Sequence, residues 1–213
     1  MSVNVWDSRA KAYRESEAHR EGPDLDLLVQ WAEGARTGLD VASGGGHVAR
    51  RLREAGLEVV TVDPAPGMQP DVQAFAEDLP FADASFDVVA SRVAPHHFAD
   101  VTEAVREMAR VAADRVLVVD NLCMGEPAED ADKLRDPSHV RNYTEAEWRG
   151  FFENAGLVVE DARRVDKTMR FEPWLERSDC TGAEAEQVGG LLSDRIDGEW
   201  ITLHRIALRG ARR

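Results

Sequence analysis

Residues Leu39-Asp-Val-Ala-Ser-Gly-Gly-Gly46 constrain the fold more than any other stretch, because a short apolar run breaks into three consecutive glycines and a helix-like segment, 48–55, follows. That order spells a strand, a tight turn and a helix. Glycine lets the backbone take positive φ and lets a ligand approach the main chain, while the first helical turn presents unpaired N–H groups to a polar or negative group. A second apolar run, Glu58-Val-Val-Thr-Val62, ends in Asp63. A carboxylate at the tip of the second strand is the usual partner of two ribose hydroxyls. The pairing predicts a pocket for a nucleotide-like cofactor but does not name it, since Gly44-x-Gly46-x-x-Ala49 also fits the dinucleotide pattern.

Further apolar runs extend the pattern. Strands are expected at 38–42, 58–63, 72–75, 86–91 and 115–120, and helices at 24–34, 47–55, 100–112 and 144–155. Such alternation predicts a parallel sheet with right-handed crossovers and helices on both faces. The end differs, with two long strands, 157–171 and 200–208, flanking a helix at about 181–196. Between Asp63 and Val72 the string Pro64-Ala-Pro-Gly-Met-Gln-Pro70 holds three prolines, so no ordinary helix fits there. The crossover after the second strand is therefore expected to shrink to a turn. One sheet face would then be thinly covered, to be closed by a partner subunit or by the N-terminal segment.

At 213 residues the chain suits one domain, 1–213, with a sizeable core. Its formal charge is −14, and of its 26 basic residues only Lys11, Lys133 and Lys167 are lysine. Nucleic-acid affinity is supplied largely by basic clusters, so no nucleic-acid partner is expected. Cys123 and Cys180 form neither a metal spacing nor a disulfide framework, so no metal is expected and a reduced, cytoplasmic setting is. The first residues carry no basic and apolar signal pattern, and no window reaches the length of a membrane span. A monomer or homodimer is expected.

The strings Phe75-Ala-Glu-Asp-Leu-Pro-Phe81, Ser85-Phe-Asp-Val-Val-Ala-Ser-Arg92 and Ala94-Pro-His-His-Phe98 resemble the third and fourth strand regions of class I S-adenosylmethionine (SAM) dependent methyltransferases. Within that superfamily the chain is most similar to small bacterial enzymes related to the ubiquinone/menaquinone C-methyltransferases, the methyltransferase type 11 group. The resemblance runs from Trp6 to about Gly156, and Arg135-Asp-Pro-Ser-His-Val-Arg141 and Tyr143-Thr-Glu-Ala-Glu-Trp148 match one subgroup. It implies a Rossmann-like α/β fold: a mostly parallel seven-stranded sheet with an antiparallel last strand and helices on both faces. It also implies SAM as cofactor, S-adenosylhomocysteine (SAH) as product, and a small-molecule acceptor methylated on oxygen, carbon or nitrogen. The alternative is a SAM-binding protein of the same fold with other chemistry or a purely binding role. An NAD-type reductase fits less well, given Asp40 within the first strand and Ala76-Glu-Asp-Leu-Pro-Phe81 after the third.

The resemblance also assigns site residues. Asp40 opens the family's D-x-G-x-G-x-G motif, Gly44 and Gly46 match its second and third glycines, and Ala42 replaces the first, its methyl expected to shift the methionine end slightly. Asp63 would hold the ribose, or merely cap a turn. Phe75 stands where many relatives carry an aspartate for the adenine amino group. It would offer an apolar wall, with Met68 opposite and Ala76 or Glu77 main chain reading the base edge, or else belong to the core. Ser43, Pro64, Ser91 and Arg92 would complete the cofactor site, with Tyr13 and Trp6 in an N-terminal helical cover, 1–35. His96 and His97 follow the fourth strand near the transferred methyl, where an imidazole could accept a proton. A helix-start residue bonded to backbone is the other reading, foremost for His97. His139 would enter from a substrate lid, 121–143, expected as a loop because Pro127 and Pro137 interrupt helix. Arg92, Arg135 and Arg141 could bind a substrate carboxylate, or sit in ordinary ion pairs.

Overall fold

The run that ends at the glycines forms β1 (Thr37–Val41), which pairs in parallel with β2 (Glu58–Val62) on one side and β3 (Phe86–Arg92) on the other. This computed structural model describes residues 3–212; Met1, Ser2 and Arg213, the ends of the expected single domain and of its N-terminal cover, lie outside the described residues. β4 (Ala112–Asn121) continues the sheet parallel to β3. The two long terminal strands, β5 (Leu157–Arg170) and β7 (Trp200–Arg212), complete it, with β7 antiparallel between β4 and β5, and a two-residue strand, β6 (Ile196–Asp197), pairs with β7. The order is β2-β1-β3-β4-β7-β5, seven strands with β6.

Successive side chains along a strand face opposite sides, and the two cores divide accordingly. Val88, Ala90, Leu117 and Val119 pack with Leu25, Leu28 and Trp31 of α3 (Pro23–Trp31) and Val48 and Leu52 of α4 (His47–Glu54). Val89, Val116 and Val118 pack on the other face with Val105 and Met108 of α5 (Val101–Val111) and Trp148 and Phe152 of α7 (Glu145–Asn154). α7 begins at a reciprocal cap in which Glu147 N donates to Thr144 Oγ1 at 3.2 Å and Thr144 N to Glu147 Oε2 at 2.9 Å.

Three expectations change. The strand expected at 72–75 is a single bridge, Val62 to Val72. Only residues 63–71 connect the two, and a parallel crossover needs roughly a dozen or more residues. The loop expected over 121–143 contains α6 (Glu126–Arg135), with Pro127 in its first turn, where the missing N–H is one the helix could not use. Pro127 starts this helix rather than breaking it. The expected helix near 181–196 is α9 (Gly182–Leu191), preceded by α8 (Phe171–Glu176); with α6 they enclose a satellite core around Trp174, Val188 and Ile201.

The shortened crossover is a single 3₁₀ turn, Pro66–Met68, and an N-terminal helix covers it. In α1 (Val3–Arg14), Asp7 Oδ1 accepts from Gly67 N at 2.7 Å and Arg14 donates to the Gly67 carbonyl, while Ala10 packs with Ala65, Met68, Trp6 and Tyr13. A second short helix, α2 (Glu17–Arg20), leads to α3.

Candidate active site

Because β1, β2 and β3 run parallel, the turns at their carboxyl ends meet at one edge, the usual ligand crevice of such sheets. A cavity of about 520 Å³ opens there. Its wall takes in Asp40, Ala42, Ser43 and Gly44 from the first turn, Asp63 and Pro64 from the second, and Met68 from the crossover. Phe75, Ala76 and Glu77 line it from the stretch before β3, Arg92 and His97 from β3 and the turn beyond, and Tyr13 from α1.

The first turn is held from both sides. Asp40 Oδ2 accepts from Ala49 N of α4 at 2.9 Å, and Asp63 accepts from Gly44 N and Ala65 N, each at 2.9 Å. Ala42 lies at φ +53°, the left-handed region that favours glycine. Gly45 is fixed by contact: a Cβ would lie 2.7 Å from the Tyr13 carbonyl oxygen. Burial pushes Asp40 up to about 7 and also raises Asp63, against the Ala65 and Gly44 N–H groups that favour its ionised form.

Gly46, Ser91, His96 and His139 do not line this cavity. Gly46, at φ +71°, caps α4, and Ser91 is fully buried in β3. Phe75 is 48% exposed at the cavity rim, not core. Arg141 pairs with Glu147. Arg92 shares the buried carboxylate of Asp24 with Arg205, each bond 2.7 Å, and its Nη2 is buried with no acceptor among the described residues.

His96 and His97 part at the turn after β3. Val93 lies at φ +53°, a costly conformation for a β-branched residue, and a 3₁₀ turn, Pro95–His97, follows. His96 turns inward, its Nδ1 2.6 Å from Asp120 Oδ1; burial drives it down to about 3 and pushes Asp120 up to about 7. His97 faces the cavity, its Nδ1–H donating to the Ser138 carbonyl at 3.1 Å and its ring edge-on to Trp6; burial, then His96, keeps it uncharged at neutral pH. His139 donates Nε2–H to Glu129 of α6 at 2.9 Å.

A second, smaller cavity of about 40 Å³ shares Tyr13, His19, Val93 and His97 with the large one and adds His96, Asn121 and several arginines. Sequence reasoning missed His19 and His47. His47 directly follows the glycines, and that position was the available signal; its Nε2–H donates to the Tyr13 carbonyl at 3.0 Å. His19 stacks on His47 with ring centroids 6.3 Å apart, brought there by the N-terminal chain, which no local motif announces.

These features suit a SAM-like ligand. A buried carboxylate suits a ribose, the orphan Arg92 Nη2 suits a carboxylate, and Met68 with Phe75 suits an adenine ring.

The profile of the methyltransferase domain family matches residues 39–119. YcgJ of Bacillus subtilis, an uncharacterized methyltransferase, is 32% identical over 207 residues, covering 86% of this chain and 82% of its own. Its crystal structure superposes with a TM-score of 0.80 at 28% identity, covering 89% of this chain and 98% of that one. The Bacillus halodurans protein BH2331 superposes at 0.78 and 28% identity, covering 90% and 99%. At 15% identity, a likeness of fold alone, Burkholderia thailandensis 1,6-didemethyltoxoflavin-N1-methyltransferase superposes at 0.64, covering 99% and 84%; it was solved with 1,6-didemethyltoxoflavin and SAH bound. On this likeness of sequence and fold, the chain belongs to the methyltransferase domain family of SAM-dependent methyltransferases.

Proposed function

We propose that this protein transfers a methyl group from SAM to an oxygen, carbon or nitrogen of a small-molecule acceptor. The observation that carries the proposal is the pair of adjoining cavities, with the glycine turn and Asp63 on the larger and His97 on the wall of both. The volume of the larger lies in the usual range of small-ligand sites, about 300–1,000 Å³. The Burkholderia enzyme, which binds a small acceptor and SAH on this fold, supports the same reading.

When bound, SAM supplies an electrophilic sulfonium methyl; the chain's part is to bind, orient and exclude water. Asp63 would accept from the ribose hydroxyls, the Gly44 and Ser43 backbone would receive the methionine end, and Arg92 and His47 would hold its polar groups. Met68, Phe75, Ala76 and Glu77 would hold the adenine. Asp40, on the wall, and Gly46, behind it, fix the turn.

At the junction, His97 is the group that accepts the acceptor's proton. Donation of Nδ1–H to Ser138 leaves Nε2 with its lone pair, the form a general base needs. His96, held by Asp120, and His139, held by Glu129, position the turn and the segment that carry His97 and Ser138. The N-terminal cover, over its described residues 3–35, would close on the cofactor and 121–143 on the acceptor, within one domain.

The test is turnover. Purified protein with SAM and a library of phenols, acidic carbons and amines should release SAH and give a singly methylated product by mass spectrometry. SAH-binding protein that turns over nothing across such a library would favour the purely binding alternative.

A further inference from the structure

The small cavity is bordered by more positive charge than its surroundings neutralise. Arg135, at the end of α6, lies over the Trp174 ring, 4.1 Å to the centroid, and donates Nε–H to the Trp174 carbonyl at 3.2 Å. Arg177, just beyond α8, donates to the Met169 sulfur at 3.2 Å. Neither forms an ion pair among the described residues. Arg205 is fully buried and shares one carboxylate, Asp24, with Arg92, and its Nε has no acceptor among the described residues. Asp136, the one carboxylate among the described residues that line this cavity, is already paired with Arg9 at 3.0 Å and accepts from Ser138.

This arrangement is unusual for a chain with a formal charge of −14, in which carboxylates are abundant. Burial and the neighbouring Arg135 and Arg205 push Arg177 down to about 10, and burial with Arg177, Arg205 and Arg92 holds His19 well below its ordinary value. Crowded guanidiniums without a counter-charge are costly unless an anion arrives. A volume of about 40 Å³ suits an acidic head group, with the rest of a molecule passing Tyr13 and His97 into the larger cavity.

We infer that the small cavity is an oxyanion subsite in which Arg135 and Arg177 bind the carboxylate or phosphate of the methyl acceptor, so that the acceptor is an acid. The inference rests on the proposed methyl transfer, because only that reading makes the neighbouring cavity a cofactor site. The guanidinium fork suits either oxyanion.

The test is calorimetric titration of the SAH-saturated protein with benzoate, phenyl phosphate and benzamide, which share a ring and differ in charge. At least one anion should bind at least about tenfold more tightly than benzamide, and which one does so tells carboxylate from phosphate. Arg177→Gln and Arg135→Gln should abolish that preference with SAH affinity unchanged, and Arg177→Lys should restore part of it. Equal affinity for benzamide, no binding of either anion, or an undiminished preference in folded Arg177→Gln overturns the subsite. SAH affinity, measured in the same samples, separates the two claims: anion binding without SAH binding keeps the subsite and removes the methyl-transfer reading.

Discussion

His96 Nδ1 lies 2.6 Å from Asp120 Oδ1, both side chains buried, and the pair fastens the turn after β3 to the end of β4. His97, one residue on, faces the cavity, so neighbouring histidines have separate duties. General-base assistance contributes about 10²–10⁴-fold. On an identified acceptor, His97→Ala should lower kcat within that range and leave SAH affinity within a few-fold. His96→Ala should instead cost about 1–3 kcal/mol of stability, because the buried Asp120 loses its imidazole partner. Denaturant unfolding and turnover check both; full turnover by His97→Ala would mean catalysis by proximity alone.

Asp63 accepts two backbone bonds and still faces the cavity. Charge-assisted hydrogen bonds are worth roughly 1.5–3 kcal/mol each. Asp63→Ala should weaken SAH binding by at least about tenfold, measured by calorimetry on protein whose circular dichroism is unchanged. Undiminished affinity would reduce Asp63 to a turn residue.

Asp40 has a raised folded-state pKa, about 7, against about 3.9 in the unfolded chain. Between those values the folded state holds a proton that the unfolded state has lost, so this group's contribution to stability falls as pH rises from about 4 to about 7. The full cost of the buried charge is about 4 kcal/mol at 1.36 kcal/mol per unit. Asp40→Asn should therefore gain stability relative to the parent as pH rises through that window, with no further change in the difference below about pH 4. A pH-independent difference in denaturant unfolding would show that Asp40 ionises normally.

Much of this was written in local sequence. A glycine run between two apolar segments dictates strand, turn and helix whatever surrounds it, so the turn at 42–46 and the place of Asp63 at the end of β2 could be read directly. What escaped depends on contacts distant in sequence. Pro127 is a helix breaker or a helix starter depending on what precedes it. The run at 72–75 looks like a strand until the length of its crossover is counted. His96 and His97 are alike in sequence, and only the turn set by Val93 and Pro95 decides which is buried. Arg135 and Arg177, 42 positions apart, meet only because the long β5 and β7 strands carry α8 back beside α6.

The N-terminal helix is tied to Gly67 by two bonds, to Asp136 and the Ser178 carbonyl through Arg9, and to His47 through the Tyr13 carbonyl, and its Trp6 and Tyr13 line the cavity, so a bound ligand would reinforce it. On addition of SAH, hydrogen exchange should slow in α1 and, to a lesser degree, in α6. If the glycine turn alone gains protection, the cavity is preformed and neither segment closes.

The central claim is that the larger cavity takes SAM, and thermal unfolding with SAM, SAH and NADH in turn tests it most directly. A ligand binding only the native state at a hundredfold excess over Kd adds about 2.7 kcal/mol, roughly 5–10 °C for a domain of this size. SAM or SAH should raise Tm by that order and NADH should not; a rise with NADH and none with SAM or SAH would contradict the account.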